Sequence, residues 1–355
     1  MRRARRMRFA GAALLAVSLA AGLGLVELGL RAFVPSMKAG SAARFELDAD
    51  LVYRLRPSNV VAWSSPEFTE VSHTNALGLR GAAIDAKAPG EARMLAIGDS
   101  FTYGHGVGDD EAYPAVVETL LRGRGRKVRV LNAGVPGYNT DQAYAWALRD
   151  GFALEPDVVL AGVHCSDVSD NYESSLYDVE GDRLVRRPTT ATRMYRVGAL
   201  VGLVPAAVRT SRVFDLLVAS IEWHDAPGAR PAVADLDAWS YRKMRLELVD
   251  LARRAAAEHA ALAVVLMPCK RALAGAAPDS YGPLAPALAE AGIPVLAAAD
   301  AMRRATGDLQ PLFFRDDPHL NQTGNRALAA AVAAFVEARG LLDPQPLMAV
   351  RAPNG

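Results

Sequence analysis

The chain has 355 residues, of which 51% are hydrophobic, and its formal net charge is +1. This length and apolar content suffice for a sizeable core and exclude a largely disordered chain. Five arginines lie within the first eight residues, so the remainder carries four more acidic than basic residues, which argues against a nucleic-acid partner.

The first predicted element is an apolar helix that follows the arginine cluster. Phe9 to Val26 contain no charge, and after Glu27 the apolar run continues to Leu30. Eighteen or more apolar residues can span a bilayer, and the arginines should remain cytoplasmic. We therefore expect residues 1–30 to form an uncleaved anchor that leaves the rest of the chain outside the cytoplasm. The alternative is a cleavable signal peptide with its site at Ser18–Ala20, which would make the protein secreted.

Residues 31–90 are interpreted as a linker and a small β-rich lead-in. Leu51–Leu55 and Phe68–Val71 are short strand candidates between turn-forming residues.

From residue 91 to residue 342, strand-like and helix-like segments alternate. Continuous apolar runs are typical of parallel strands that are covered on both faces. These strand candidates are Arg93–Ile97, Val128–Asn132, Val158–Val163, Ala263–Met267 and Pro294–Ala297. The helix candidates are Glu111–Leu121, Thr140–Arg149, Leu236–His259, Tyr281–Ala291 and Gln322–Arg339. The alternation predicts a doubly wound α/β sheet with its chemistry at the carboxyl ends of the strands.

Residues 171–231 interrupt this alternation and are predicted to be a helical insertion. Arg209, Arg212 and Asp215 argue against a second membrane span there. The insertion could cap the site, lie near the bilayer surface or pack on the core. Residues 343–355 are expected to be a flexible tail.

A serine follows the first predicted strand, in the sequence AIGDSFTYG. Ser100 could be a nucleophile or the N-cap of the next helix. A nucleophilic serine needs a base, and the base needs a carboxylate that orients it. His319 is the best candidate base, because it lies among carboxylates in the loop before the last helix. Asp316, three residues earlier, is predicted to orient it. Asp317 is the rival for this role, although the adjacent Pro318 suggests that it shapes the turn.

An attacked carbonyl also needs donors for the oxygen that becomes negatively charged. The N–H of Ser100, at the start of a helix, and the N–H of Gly134, after the second strand, are the predicted donors of this oxyanion hole.

Together these motifs resemble the SGNH, or GDSL-like, hydrolase superfamily, and most closely its bacterial membrane-anchored members. The matching blocks are Gly98-Asp99-Ser100, Gly134 and Asp316-x-x-His319, with further similarity at Asn75–Gly81, Asn132–Tyr138 and Asp167–Asn171. The resemblance covers about residues 72 to 340. It implies a flavodoxin-like three-layer sandwich with a five-stranded parallel sheet of order 2-1-3-4-5. It also implies acyl-ester hydrolysis or transfer by serine, histidine and aspartate without a cofactor, and no metal-ligand motif is present in the sequence.

One block departs from the family pattern of Gly-x-Asn-Asp after the third strand. Ser166 stands where the family has its asparagine, whose side chain donates to the oxyanion. Ser166 could donate less effectively, or Asn171 or His164 could substitute. Asp99, beside the nucleophile, is a further candidate site residue.

The two cysteines, Cys165 and Cys269, each follow a strand, and those strands are neighbours in the order 2-1-3-4-5. Neighbouring strands bring such residues within disulfide range, and an exported protein could form the bond. The alternative is a pair of buried free thiols.

The sequence therefore predicts a membrane-anchored, periplasmic serine esterase of the bacterial inner membrane. Its expected substrate is an acyl ester, with an acetyl group as one version, of an envelope polysaccharide or lipid. An O-acyltransferase with the same three residues is the close alternative, and a domain that binds a glycan or a partner without turnover is the alternative of another class. The sequence does not indicate an oligomeric state.

Overall fold

The computed structural model describes residues 2–33, 44–173, 176–209, 211–214, 235–270 and 281–343. The chain divides into two compact units, Met1–Ala43 with Arg196–Gly228, and Arg44–Tyr195 with Ala229–Gly355. Apart from its first residue, the predicted tail of 343–355 lies outside the described residues.

The helices and strands are numbered in chain order. The helices are α1 (Arg2–Phe33), α2 (Ser100–Tyr103), α3 (Tyr113–Gly123), α4 (Thr140–Trp146), α5 (Asp167–Glu173), α6 (Arg193–Leu203), α7 (Ala206–Arg209), α8 (Leu236–Ala257), α9 (Leu284–Glu290), α10 (Ala298–Thr306) and α11 (Gln322–Ala338). The strands are β1 (Phe45–Asp48), β2 (Val52–Leu55), β3 (Val60–Ser64), β4 (Thr69–His73), β5 (Ala92–Gly98), β6 (Val128–Gly134), β7 (Val158–Val163), β8 (Tyr177–Glu180), β9 (Arg183–Arg186), β10 (Ala261–Leu266) and β11 (Val295–Ala297).

The first unit contains the N-terminal apolar helix. Within α1, residues Ala13–Ala32 have a mean hydropathy of 2.0 over 20 residues, which is long and apolar enough to cross a bilayer. The Glu27 carboxylate of α1 accepts hydrogen bonds from the Ser211 hydroxyl at 2.8 Å and from the N–H groups of Arg212 and Val213 at 2.9 and 3.0 Å. By length and composition, α1 could be either a membrane anchor or a signal sequence.

The second unit is built on a five-stranded parallel sheet of order β6-β5-β7-β10-β11. This confirms the predicted order 2-1-3-4-5. Alternate residues of β5 point to opposite faces, so Leu95 and Ile97 pack on one side and Met94 and Ala96 on the other. Helices α4, α8 and α9 cover the first face, and α3, α10 and α11 cover the second. The result is the three-layer sandwich that the apolar runs predict, because each strand is covered twice.

Several elements differ from the sequence predictions. Helix α10 was not predicted, and the predicted helix Thr140–Arg149 is a shorter α-helix followed by a π-helical turn over Ala147–Gly151. The interval 171–231 is not purely helical, because β8 and β9 form an antiparallel hairpin within it. That interval is also divided between the two units, and its residues 215–231 lie outside the described part of the chain.

The β-rich lead-in is part of the second unit and packs on its core. Two antiparallel pairs, β1 with β2 and β3 with β4, precede the central sheet. Leu51, Leu55 and Leu79 belong to the same buried cluster as the sheet residues. The Arg80 N–H then bonds the Asn132 carbonyl oxygen of β6 at 3.0 Å, which connects the lead-in directly to the sheet.

Cys165 and Cys269 form a disulfide, with their Cα atoms 6.0 Å apart. Cys165 follows β7 and Cys269 follows β10, so the bond ties together two loops at the carboxyl ends of neighbouring strands.

We expect the purified protein to contain this disulfide. Ellman titration of denatured, unreduced chain should find no free thiol, and titration after reduction should find both. Since the bond closes a separation of 104 residues, reduction should lower the free energy of unfolding by about 4 kcal/mol. Two titratable thiols before reduction would show that the cysteines are free.

Candidate active site

The turn after β5 sets the position of Ser100. Gly98 has a φ of +148°, and a Cβ there would lie 2.5 Å from the Thr102 hydroxyl and 2.7 Å from the Gly162 carbonyl oxygen, so only glycine fits this turn. The next residue, Asp99, is the N-cap of α2, and its carboxylate accepts the Phe101 N–H at 2.9 Å. Ser100 is therefore the first residue of the helix rather than its cap, and its hydroxyl is available for other contacts.

Ser100, His319 and Asp317 form a continuous hydrogen-bonded chain. The Ser100 Oγ lies 2.7 Å from His319 Nε2, and His319 Nδ1 lies 2.6 Å from Asp317 Oδ1. The side chains of His319 and Asp317 are 17% and 27% exposed, so a substrate could reach them. A serine, a base and an orienting carboxylate in this order can generate a nucleophile at neutral pH.

The prediction that Asp316 orients His319 is wrong. The Asp316 side chain is 70% exposed and pairs with Arg315 at 2.8 Å. Asp317 instead accepts the His319 N–H at 2.9 Å with the same oxygen that contacts the ring. This contact between residues two apart is an Asx turn, which brings the Asp317 carboxylate to the side where Nδ1 lies. The loop is not helical here, so a separation of three residues does not bring Asp316 to the ring.

The contacts between Asp317 and His319 determine the protonation state of the Asp317 carboxyl. Burial raises the pKa of its carboxyl, but the hydrogen bond and the charge of His319, together with the charge of His105, lower that pKa below its ordinary value. Asp317 is therefore ionised at neutral pH, as an orienting carboxylate must be.

Gly134 does not have a free N–H in the structure. Its N–H donates to Asn132 Oδ1 at 3.0 Å, which corrects the prediction that it serves an oxyanion. A Cβ on Gly134 would lie 2.2 Å from the Tyr103 nitrogen, so the glycine is needed for the close approach of β6 to α2. Gly137, three residues later, is exposed, and its N–H makes no hydrogen bond to any residue described in the structure.

Ser166 is directed towards a buried histidine. Its Oγ lies 3.0 Å from His164 Nδ1, and its N–H donates to the same nitrogen at 3.3 Å. The His164 ring stacks on Phe101 with centroids 4.1 Å apart. Burial lowers the pKa of His164 to about 3, so the ring is neutral. The His164 ring thus lies beside the segment Gly98–Val107, here called the nucleophile turn, through its contact with Phe101. Neither Ser166 nor His164 is hydrogen-bonded to Ser100 or His319.

Asn171, the other predicted substitute donor, is turned into the protein. It is fully buried, and its Oδ1 accepts the Asp141 N–H at 3.4 Å. The neighbouring Asn139 side chain donates to the Asp170 carbonyl oxygen at 3.0 Å. Asn171 therefore joins α5 to the start of α4 and is not brought to the Ser100 hydroxyl.

Asp99 combines a capping role with an unfavourable electrostatic environment. Burial raises the pKa of its carboxyl to about 6, although the Phe101 N–H and the charge of His319 act to lower it. The nearest imidazole nitrogen, His164 Nδ1, lies 3.8 Å from Asp99 Oδ2. Burial and the charge of Asp99 also raise the pKa of Asp167 well above its ordinary value. Burial therefore disfavours the ionised form of both carboxyl groups, without making Asp99 neutral at pH 7.

The Asp99→Asn variant is expected to be more stable than the wild type at pH 8. Because the folded pKa of about 6 lies above the ordinary 3.8, folding is progressively penalised as the pH rises through this interval. Asparagine keeps the oxygen that accepts the Phe101 N–H and removes the charge. Urea unfolding should show a gain on the order of 2 kcal/mol at pH 8 that disappears near pH 4. A gain that is the same at both pH values would exclude this electrostatic cause.

A second ionic group lies behind the candidate histidine. The Glu70 carboxylate is fully buried and pairs with Arg44 at 2.9 Å and with His105 Nδ1 at 3.2 Å. Although burial raises the pKa of Glu70, contacts with His105, with Arg44 and Arg80 and with the backbone lower it to about 2. The His105 ring meets the His319 ring edge to face, with centroids 4.7 Å apart. Through His105, the lead-in residue Glu70 therefore supports one side of the candidate histidine, and no motif in the sequence indicates this contact.

Arg80 supports the other side of the nucleophile turn. Its guanidinium donates to the carbonyl oxygens of Tyr103, Gly104 and Val107 at 2.8, 2.6 and 2.6 Å, and to Asp109 at 2.8 Å. Its side chain is 1% exposed. In the sequence, Arg80 is marked only as part of the block Asn75–Gly81 that resembles the family. That resemblance indicates no role for the arginine.

Two clusters in the described residues have metal-type ligands. The first cluster is formed by His105, Asp317 and His319, whose ligand atoms lie within 4.8 Å of one another. The second is formed in the same way by His164, Cys165 and Cys269. In the first cluster Asp317 and His319 share a hydrogen bond, and in the second the sulfurs form a disulfide. These protein partners account for the ligand atoms, so we assign no metal role to either cluster.

Residues 96–327 match the model of the GDSL-like lipase/acylhydrolase family. No curated protein sequence matches the chain.

Several solved structures resemble the chain at low sequence identity. The lipase/acylhydrolase from Enterococcus faecalis is 16% identical, with 70% of this chain and 96% of that chain covered and a TM-score of 0.42. The psychrotrophic esterase EstA from a Pseudoalteromonas species is 12% identical, with 70% and 97% covered and a TM-score of 0.41. The acetyl xylan esterase AlAXEase is 13% identical, with 69% and 99% covered and a TM-score of 0.41.

Proposed function

Because the chain belongs to the GDSL-like lipase/acylhydrolase family, we propose that it is an ester-bond hydrolase whose nucleophile is Ser100. The observation that carries this proposal is the hydrogen-bonded chain from Ser100 through His319 to Asp317, with distances of 2.7 and 2.6 Å. His319 acts as the general base and then as the general acid, and Asp317 holds its ring in the required tautomer.

The reaction proceeds in two acyl transfers. His319 Nε2 takes the Ser100 proton as Oγ attacks the ester carbonyl, and the resulting tetrahedral intermediate collapses when His319 protonates the leaving alcohol. Water then attacks the acyl-serine with His319 again as the base, which releases the acid and restores the Ser100 hydroxyl. Neither step requires a cofactor.

The oxyanion is bound by a backbone donor of the nucleophile itself. The Ser100 N–H lies at the first position of α2, where a helix leaves its N–H groups without intrahelical partners. Since the Gly134 N–H is engaged by Asn132, we assign no second backbone donor. The Ser166 hydroxyl, which contacts His164 in the structure, is the second donor when it turns towards the substrate.

The proposed location is the extracytoplasmic face of a bacterial inner membrane. An apolar helix behind five arginines supports an anchor with its N-terminus in the cytoplasm, and the disulfide is typical of an oxidising compartment. Substrates accessible there are acyl esters, acetyl esters included, of envelope polysaccharides or lipids.

Labelling with a fluorophosphonate probe tests the nucleophile. The probe should label the detergent-solubilised full-length protein, should not label Ser100→Ala, and should label Ser64→Ala, which removes an exposed serine of β3, at the wild-type rate. Unlabelled wild type with a normal unfolding transition would contradict the proposal that the domain is an enzyme.

Turnover of p-nitrophenyl acetate separates hydrolysis from transfer. A hydrolase releases p-nitrophenol continuously in water alone, with no added acceptor. If release stops after one equivalent and resumes only on addition of an oligosaccharide, the protein is an O-acyltransferase instead.

A further inference from the structure

The segment Phe314–Asp317, here called the acid loop, has its backbone held from one side by a carboxylate. Glu67 accepts the N–H groups of Arg315, Asp316 and Asp317 at 2.7, 3.0 and 2.8 Å. Three successive amides thus point at one anion, an arrangement that forms strong charge-assisted hydrogen bonds. Glu67 lies in the turn between β3 and β4, about 250 residues away in the sequence.

From the other side, an ammonium group holds the same loop. Lys270 Nζ donates to the carbonyl oxygens of Phe314, Arg315 and Asp317 at 2.6, 2.7 and 3.0 Å. All three of its N–H donors are therefore used on one short stretch of backbone. Lys270 follows Cys269 directly, so the disulfide to Cys165 anchors the chain at that point.

These contacts explain why the adjacent residues Asp316 and Asp317 have different surroundings. With the three amides turned to Glu67 and the three carbonyls turned to Lys270, the orientation of each peptide in the acid loop is fixed. The Asp316 side chain then lies in solvent beside Arg315, while the Asp317 side chain turns to His319. Neither Glu67 nor Lys270 contacts Ser100 or the imidazole ring of His319 through a hydrogen bond.

We propose that Glu67 and Lys270 are positioning residues that clamp the acid loop, so that Asp317 rather than Asp316 presents its carboxylate to His319. This inference rests on the proposed function, since it concerns the same histidine. It gives one residue of the lead-in, Glu67, and one residue after β10, Lys270, a positioning role, although neither touches the reacting atoms.

The Glu67→Ala and Lys270→Ala variants should each lower kcat by about 100-fold, the loss expected when a catalytic group is displaced by about 1 Å. KM should change little, because the clamp does not contact the substrate site. Glu46→Ala is the matched control for Glu67, since Glu46 is a partly exposed carboxylate that pairs with Arg54 on the lead-in surface. Its kcat should match the wild type.

Chemical rescue distinguishes positioning from a general loss of structure. Formate should refill the vacated carboxylate site and raise kcat in Glu67→Ala, and methylammonium should do the same in Lys270→Ala. Neither ion should raise the activity of the wild type or of Glu46→Ala. Full activity in both alanine variants, or a loss of activity that matches a loss of folded protein and responds to neither ion, would overturn the proposal.

The proton between Asp317 and His319 provides a readout that does not depend on turnover. In the wild type its NMR resonance should lie far downfield, and in Glu67→Ala it should shift or broaden and then return on addition of formate. If the wild type hydrolyses no ester, the proposed function fails while this resonance still tests the clamp. An unchanged resonance in both variants would reject the clamp and leave the proposed function intact.

Discussion

Replacing Asp317 with asparagine is expected to lower kcat by about four orders of magnitude, whereas the same change at Asp316 should have little effect. Asparagine at position 317 can present its NH₂ group to His319 Nδ1 and so favour the tautomer that protonates Nε2, which cannot then accept the Ser100 proton. Asp316 has no contact with the ring and is exposed. Steady-state kinetics on p-nitrophenyl acetate measures both effects.

The two variants change adjacent residues of the same loop, so each is a control for the other. Both should unfold at the wild-type temperature to within a few degrees, because the acid loop keeps its backbone contacts with Glu67 and Lys270. If Asp316→Asn is inactive and Asp317→Asn is active, the sequence-based prediction that Asp316 orients His319 is right. The 2.6 Å hydrogen bond between Asp317 and His319 is then not needed for catalysis.

The central sheet could be predicted from the sequence because burial on both faces leaves a local signature. The third predicted strand, Val158–Val163, agrees with β7 at both ends, and all six of its residues are buried. Helix α10 left a weaker signature. Its N-cap, Ala297, makes no side-chain capping bond, and only Ala298 and Met302 are buried, so its apolar face is short. The signals that it carries are at its ends: Asp300 in the first turn and Gly307 after the last.

The partners of the candidate site could not be predicted because they act over long sequence separations. Nothing near Glu67 indicates that its carboxylate contacts a loop about 250 residues later. The choice between Asp316 and Asp317 likewise depends on how that loop turns, and adjacent carboxylates look equivalent in a sequence. Ser100 and His319 could be found because their types and spacing are constrained by the chemistry itself, whereas the residues that orient them depend on the fold.

Arg80 is another residue that supports the site from a distance in the sequence, 23 to 27 residues before its carbonyl partners. An Arg side chain has five N–H donors in a planar fork, and Arg80 uses them on three carbonyl oxygens of the nucleophile turn and on Asp109. Its guanidinium also lies 4.4 Å from the centroid of the Tyr103 ring. Removal would leave buried acceptors without donors at the end of α2, which carries Ser100.

The Arg80→Met variant is therefore expected to lose about 3–5 kcal/mol of unfolding free energy, because three buried carbonyl oxygens lose their charged donor. Arg80→Lys should recover only part of this loss, because a single ammonium cannot reach all four acceptors. Arg54→Met removes a 41% exposed arginine that pairs with Glu46 and should cost less than about 1 kcal/mol. Urea unfolding of the full-length chain in detergent, followed by tryptophan fluorescence, measures all three. Wild-type stability in Arg80→Met would show that the nucleophile turn is stable without the arginine. Full recovery of stability in Arg80→Lys would show that the positive charge is sufficient and that the planar guanidinium geometry is not needed.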